Sequence, residues 1–467
     1  MRTQPELITL GVRPGVAPSG RPPVRIFLGT EASQFRPERV LVWSVERVRD
    51  PSRVYEIHLM KELAGFDRRG WTTGFTNYRF AIPHFVGGRG RAIYNDEDQI
   101  YLSDPAALFD REMGQHGFLA IAPRESSVML IDCERMAGVW SLEEAQRASK
   151  KTILDRSLAS EGLWGPLEVE WNARDGEYRE GRSHLIHYTT LHTQPWRPFP
   201  GRFVYMQHPL AGLWHDLERS ADAAGFQLFG RQRPSAAFRA LAARATAVSG
   251  SGSAAWAEPR LAELRERCPG SLLRYAPLGG PPAEGCDLVA LGAGLEAVPE
   301  DDVPWLLDEA FAAARRLVFA AIDPGPAPGA ARQPSASPDP ERWAAHFEAA
   351  SRRRPDVHWE LWVRGPGGER CARGGRFLGE GPPQVWVLED PSDGAPDAAL
   401  AVAAKLGWPV RRLRPEQAVA PWPDLVLSAG RRAGAAARRI RSEANGSTRV
   451  VVLGAEQGAR AEDFDLV

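Results

Sequence analysis

Ala92-Ile93-Tyr94-Asn95-Asp96-Glu97-Asp98-Gln99-Ile100-Tyr101-Leu102-Ser103-Asp104 sets an apolar approach against three consecutive acids, then turns apolar again at Ile100 and Leu102. Along an extended segment residues i and i+2 share a side, so Asp96 and Asp98 project together while Glu97 points elsewhere. Two carboxylates side by side repel unless a positive charge sits between them. A hard divalent cation held by oxygen ligands and shared with a substrate's phosphates supplies that charge. An acidic turn at a strand end fits the same letters. The surrounding sequence has to choose between the two.

A chain of 467 residues has room for roughly two to four domains with cores of their own. Its 58 basic and 59 acidic residues nearly cancel, so no global field draws it to nucleic acid or to an anionic membrane. Cys133, Cys268, Cys286 and Cys371 are scattered without a C-x-x-C pair, which argues against a disulfide scaffold or zinc ribbon and places the chain in a reducing cytoplasm. Residues 1–23 are rich in Pro, Gly and Arg, lack the apolar core of a signal peptide and are expected to be disordered. No run approaches the ~20 apolar residues of a membrane span. The chain therefore reads as soluble, with peripheral membrane contact left open.

Val24-Arg25-Ile26-Phe27-Leu28-Gly29-Thr30 is a β-rich run, and the helical spacing of Val40, Leu41, Val42, Val45 and Val48 follows it. Residues 54–59 alternate as a second strand. Residues 76–85 read as a helix that Pro83 ends or kinks, leading into the acidic strand. Ser126-Ser127-Val128-Met129-Leu130-Ile131-Asp132 is a further strand, and residues 185–196 run from strand to loop through His187. Ligands of open α/β sheets gather at the carboxyl ends of strands, where Thr30 and the acid cluster both lie. An imidazole at a strand end often completes a metal site, and a loop histidine is as readily a plain hydrogen-bonding residue.

Taken in order, the strand to Thr30, Arg79-Phe80, Tyr94-Asn95-Asp96-Glu97-Asp98 with Asp104-Pro105 behind it, Ser126-Ser127-Val128-Met129-Leu130, Trp171-Asn172, His187-Tyr188-Thr189 and Gln194-Pro195-Trp196 resemble the glycogenin-like nucleotide-sugar glycosyltransferases, family 8 and its bacterial relatives. The resemblance implies a GT-A fold and retaining transfer of a hexose from a UDP-sugar, assisted by Mn²⁺ or Mg²⁺. By position it makes Asp96, Asp98 and His187 the metal ligands, and it puts Thr30, Arg79, Ser127, Gln194 and Trp196 at the donor. The match departs at Ser126-Ser127-Val128, where the family has Asn-Ala-Gly, in the lack of an Asp-Gln-Asp segment, and at Gln194. There the family has a lysine, so a cation expected on the diphosphate is missing.

Residues 286–291, 301–309 and 317–322 read as strand, capped helix and strand, a βαβ unit that resembles the later half of a class I methyltransferase. Its cofactor loop is reduced to Ser249-Gly250-Ser251-Gly252-Ser253, which reads equally as a linker, so S-adenosylmethionine is not expected to bind. Trp343, Phe347, Trp359 and Trp362 supply apolar bulk. From residue 384 strands and helices alternate, and Val385 to Leu388, Gly407 to Pro409 and Ser428 to Arg432 resemble the opening of the mitochondrial-fission-protein-like glycosyltransferases of bacteria. Gly430 and Arg431 either receive a phosphate at a helix N-terminus or form a solvated basic turn.

The expected architecture is α/β throughout. It comprises a disordered 1–23, a GT-A (Rossmann-like nucleotide-diphospho-sugar transferase) domain at 24–209, a degenerate methyltransferase-like α/β domain at 210–380 with a mobile loop at 324–340, and a truncated Rossmann-like GT-B half at 383–467. The expected partners are a nucleotide-sugar donor and a glycan acceptor. The alternative is a non-catalytic scaffold of degenerate transferase domains that binds nucleotide-sugar or partner proteins.

Overall fold

The computed structural model describes residues 2–196, 208–245, 255–292, 294–323, 340–365, 368–375, 382–390, 392, 397–444, 448–454 and 464. They divide into two compact units, one taking the described residues up to 228 and the other those from 229 onward.

The first unit is built on a seven-stranded mixed sheet of order β1-β3-β2-β4-β7-β6-β8, from β1 (Glu6–Leu10), β2 (Val24–Gly29), β3 (Tyr55–Met60), β4 (Arg91–Asp96), β6 (Phe118–Ala120), β7 (Val128–Asp132) and β8 (Trp164–Pro166). The strands β3, β2 and β4 run parallel, and β7 returns antiparallel on β4. A three-stranded sheet, β5 (Gln99–Tyr101), β10 (Leu185–His187) and β9 (Ala173–Arg174), starts two residues beyond the end of β4. Near-continuous apolar runs make β2, β4 and β7 strands buried on both faces. The helix Phe35–Val48 buries Val40, Leu41, Val42 and Val45, as its spacing predicts.

Three sequence expectations change. The opening segment is not wholly disordered: Glu6–Leu10 pairs antiparallel with β3, and its Leu-Ile-Thr-Leu alternation buries Ile8 and Leu10. Residues 76–85 do not form one helix. They make a 3-10 turn, Tyr78–Ala81, and then a single α turn, Ile82–Phe85, with Pro83 in its first turn, where the missing N–H costs nothing. The expected boundary at 209–210 falls inside the first unit. Helix Ala211–Ala223 is fastened to Phe35–Val48 by Arg36 on both oxygens of Glu218 at 2.8 Å, by Arg39 on Asp222 at 2.8 Å and by the Trp43 indole on Ser220 at 2.6 Å.

The second unit holds two sheets. The first has order β11-β12-β13-β14-β15, from β11 (Leu272–Tyr275), β12 (Cys286–Leu291), β13 (Ala314–Ile322), β14 (His358–Gly365) and β15 (Gly368–Gly374), parallel as far as β14 with β15 antiparallel at the edge. The helix Val303–Ala313 joins β12 to β13, so the expected βαβ unit is present. The second sheet is all parallel, of order β17-β16-β18-β19, from β16 (Val385–Leu388), β17 (Val410–Leu413), β18 (Leu425–Ala429) and β19 (Arg449–Leu453). Trp343, Phe347 and Trp359 are core residues and Trp362 packs against the core as a partly buried one. Ser249 to Ser253 and residues 324–339 lie outside the described residues.

One contact ties the sheet to the acid cluster. Gly29 lies opposite Asp96 in the β2–β4 register, and a Cβ there would come within 2.1 Å of the Tyr94 hydroxyl and 2.5 Å of the Phe75 ring. Both rings are buried and cannot step aside cheaply. Gly29→Ala is expected to cost about 1–3 kcal/mol, the usual cost of overpacking, read as a lower urea midpoint of the full chain.

Candidate functional site

Asp96 ends β4 and Asp98 immediately precedes β5, so the acidic triplet spans the step from the large sheet to the small one. His187 ends β10, whose antiparallel ladder sets it opposite Gln99, and the Tyr188 amide donates to the Asp98 carbonyl at 2.9 Å. Strand pairing thus brings together residues far apart in the chain. One ligand atom from each of Asp96, Asp98 and His187 lies within 4.8 Å of the others. His187 Nε2 is 3.1 Å from Asp98 Oδ1.

The group is short of positive charge. Burial pushes the Asp96 carboxyl above its ordinary range despite the pull of Arg79, and the charge of Asp98 adds to the push. Burial, then the charges of Asp98 and Asp96, raise Glu97 further still. Burial alone would lower the His187 imidazole; the charges of Asp98 and Asp96 outweigh it and raise the ring above its ordinary value. Asp98 Oδ1 and Glu97 Oε2 are buried without a hydrogen-bond partner among the described residues. Orphaned buried acceptors beside crowded carboxylates are what a bound cation would satisfy. Two carboxylates and one imidazole form an oxygen-rich donor set suited to Mn²⁺ or Mg²⁺.

Arg79 is held on every side. Its Nη2 meets Asp96 Oδ1 at 3.0 Å, Nη1 donates to the Ser126 carbonyl at 2.5 Å and hydroxyl at 3.1 Å, and Nε donates to the Thr76 carbonyl at 2.9 Å. The guanidinium also sits 4.4 Å from the centre of the Tyr94 ring, whose hydroxyl donates to Asp96 Oδ1 at 2.6 Å. Ser127 reaches the group through Asn172: its hydroxyl accepts from Asn172 Nδ2 at 3.0 Å, and Asn172 Oδ1 is 2.8 Å from His187 Nδ1. Gln194 Nε2 donates to the Tyr188 carbonyl at 3.0 Å and lies 3.4 Å from Asp98 Oδ2.

Two expected donor residues are placed differently. Thr30 is buried and its hydroxyl is spent on Glu38 at 3.0 Å, a carboxylate that also takes Lys61 at 2.8 Å. Trp196 is a core residue: its ring packs between Tyr188 and Trp214, and its indole N–H donates to Gln34 at 3.0 Å. Gly430 and Arg431 belong to the second unit, where Gly430 at φ +91° turns the chain from β18 into the helix Arg431–Glu443.

Residues outside the expected set join the group. Glu125 accepts from the amides of Ser126 and Ser127 at 2.8 and 2.9 Å and from the Ser127 hydroxyl at 2.7 Å. Burial would raise its carboxyl, but these hydrogen bonds outweigh it and hold the group below its ordinary range. Lys150 opens the helix Lys150–Ala159. The turn before it is pinned by Asn77, two residues from Arg79, whose amide donates to the Ala148 carbonyl at 2.6 Å. Half-buried, Lys150 has no hydrogen bond or ion pair among the described residues. Burial and the nearby charge of Arg79 hold its ammonium below the ordinary lysine range, with Asp96 and Glu125 pulling the other way. The one sequence signal was the Ser149 cap, whose hydroxyl accepts from the Thr152 amide; it locates the helix and not the chemistry.

No protein-family model and no curated protein sequence matches the chain. Among solved structures it is similar to the WbbM bifunctional glycosyltransferase in its apo form, at 13% identity and a TM-score of 0.33, over 43% of this chain and 53% of that one. The chain thus spans about half the length of WbbM. It is also similar to the galactosyltransferase LgtC in complex with donor and acceptor sugar analogues, at 13% identity and a TM-score of 0.30, over 42% of this chain and 96% of that one. The glycosyltransferase GlyE of Streptococcus pneumoniae is similar at 12% identity and a TM-score of 0.31, over 92% of each chain. Likenesses at this level do not decide a function, so the side chains must.

Asp98→Asn and His187→Ala are each expected to weaken Mn²⁺ binding by more than the about 10–100-fold typical of losing a supporting residue. Titration of the full chain with Mn²⁺, followed by the electron paramagnetic resonance of the free ion, checks this.

Proposed function

We propose that the first unit is a metal-dependent retaining glycosyltransferase that moves a hexose from a UDP-sugar to an acceptor hydroxyl of a glycan. The observation that carries the reading is the meeting of Asp96, Asp98 and His187 within 4.8 Å at the end of a buried strand, with Arg79 on one carboxylate. The ordered sequence motifs that include these residues support the donor class.

Asp96, Asp98 and His187 would hold the ion, Mn²⁺ or Mg²⁺. The ion would neutralise charge that develops on a departing diphosphate. Arg79, locked by its own hydrogen bonds, keeps a fixed positive charge beside the ion's ligands at no cost of reordering. Lys150 brings an ammonium with no internal partner to the same side, and in this reading it supplies the charge that Gln194 lacks. Gln194 keeps a buried Oε1 without a hydrogen-bond partner among the described residues, an acceptor for a hydroxyl or a hydrated ion. Among the described residues no helix is long and apolar enough to cross a membrane.

A second reading has an observation of its own. Asp96 already accepts from Arg79 and Tyr94, and Asp98 faces His187 and Gln194, so the carboxylates are partly compensated from within the chain. A non-catalytic scaffold that binds nucleotide-sugar would need no more.

Incubating the purified chain with Mn²⁺ and a panel of UDP-sugars separates the two. The transferase reading expects slow hydrolysis or transfer of one donor, reduced at least a hundredfold in kcat by Asp98→Asn. Lys150→Met is expected to raise the donor KM about tenfold, the worth of one charged hydrogen bond of ~1.5 kcal/mol. Binding of donor without turnover under every metal condition would favour the scaffold.

A further inference from the structure

Four hydrogen-bonding groups form an unbroken line that ends on the candidate metal ligands. Glu125 Oε1 takes the Ser127 hydroxyl at 2.7 Å, Ser127 Oγ faces Asn172 Nδ2 at 3.0 Å, Asn172 Oδ1 faces His187 Nδ1 at 2.8 Å, and His187 Nε2 faces Asp98 Oδ1 at 3.1 Å. Asn172 is fully buried, and Ser127 and His187 nearly so. No water is needed to complete the line.

Such a line has two self-consistent directions. In one, Ser127 donates to Glu125, Asn172 donates its amide to Ser127 and presents its carbonyl to His187, and the ring carries its proton on Nδ1. In the other every donor reverses, the ring proton sits on Nε2 and the nitrogen nearest the acids has no lone pair to offer. A serine hydroxyl has one proton, and an ionised carboxylate can only accept. A charged acceptor also binds that proton more strongly than a neutral amide oxygen does. The backbone amides of Ser126 and Ser127 fix the same Glu125 oxygen in place.

We propose that Glu125 is a positioning residue that sets the tautomer of His187 through Ser127 and Asn172, so that the lone pair of Nε2 is the one turned toward Asp96 and Asp98. Its consequence for affinity rests on the metal reading of that group. The tautomer itself does not.

The test uses the full chain and two variants, Glu125→Gln and Ser127→Ala. Long-range ¹⁵N–¹H correlation of the histidine rings, with His187 assigned by its loss in His187→Ala, reads the tautomer at a pH where the ring is neutral. The wild type is expected to show Nδ1–H alone. Both variants are expected to populate Nε2–H and to bind Mn²⁺ about 10–100-fold more weakly. The double variant is expected to be no worse than the poorer single one, because both break one line. An unchanged Nδ1–H tautomer in a folded Ser127→Ala would overturn the proposal, and so would an Nε2–H tautomer in the wild type; Ser127→Ala decides alone if Glu125→Gln does not fold. A wild type with the Nδ1–H tautomer that binds Mn²⁺ and turns over no UDP-sugar would refute the transferase reading and leave this one standing.

Discussion

The structure of the first unit depends on a repulsion. Asp96, Glu97 and Asp98 follow one another at the junction of two sheets, with Glu97 buried and Asp96 and Asp98 only partly open to solvent. Water cannot screen them there as it would on a surface. Around this excess the chain arranges Arg79, His187 and Lys150, and it directs the Tyr94 hydroxyl and the Gln194 amide at the same carboxylates. Each compensation is partial. The acceptors still orphaned on Asp98 and Glu97 are why a divalent ion, and not another side chain, completes the account.

The scaffold that holds this charge is ordinary sheet geometry. The parallel run β3, β2, β4 brings Gly29 against Asp96, and the absence of a side chain at Gly29 leaves room for the tyrosine that orients the carboxylate. The small sheet then takes Asp98 and His187 from distant parts of the chain. Ser127 links the two sheets: its carbonyl accepts from the Asp96 amide at 3.1 Å and from Gln99 Nε2 at 3.1 Å. Stiffness comes from this cross-linking, since buried polar groups that are fully paired resist displacement.

Much of this was legible. The alternation from Ala92 to Asp98 marked a strand that carries two acids to one side, and apolar runs marked β2, β3 and β7. His187 entered through its place in a series of ordered motifs. What the sequence could not show was direction of packing. Trp196 and Thr30 stand within recognisable motifs, yet one ring is core and one hydroxyl is tied to Glu38. Glu125 is one of 59 acidic residues and Lys150 one of 58 basic ones, with no spacing to single them out. Only their neighbours in space give them a role. The strand at Glu6–Leu10 was readable by its alternation, but the Pro and Gly around it masked the signal.

The ladder between β5 and β10 is three residue pairs long. Because successive side chains along a strand alternate sides, sliding either strand by a single position would carry His187 to the far face, whereas lengthening the chain between Tyr101 and Leu185 need not disturb the meeting at all. The protein has therefore placed its most exacting spacing in its shortest elements and left the long intervening segment free to vary in length, so that new surface can be added around the ion site without retuning it.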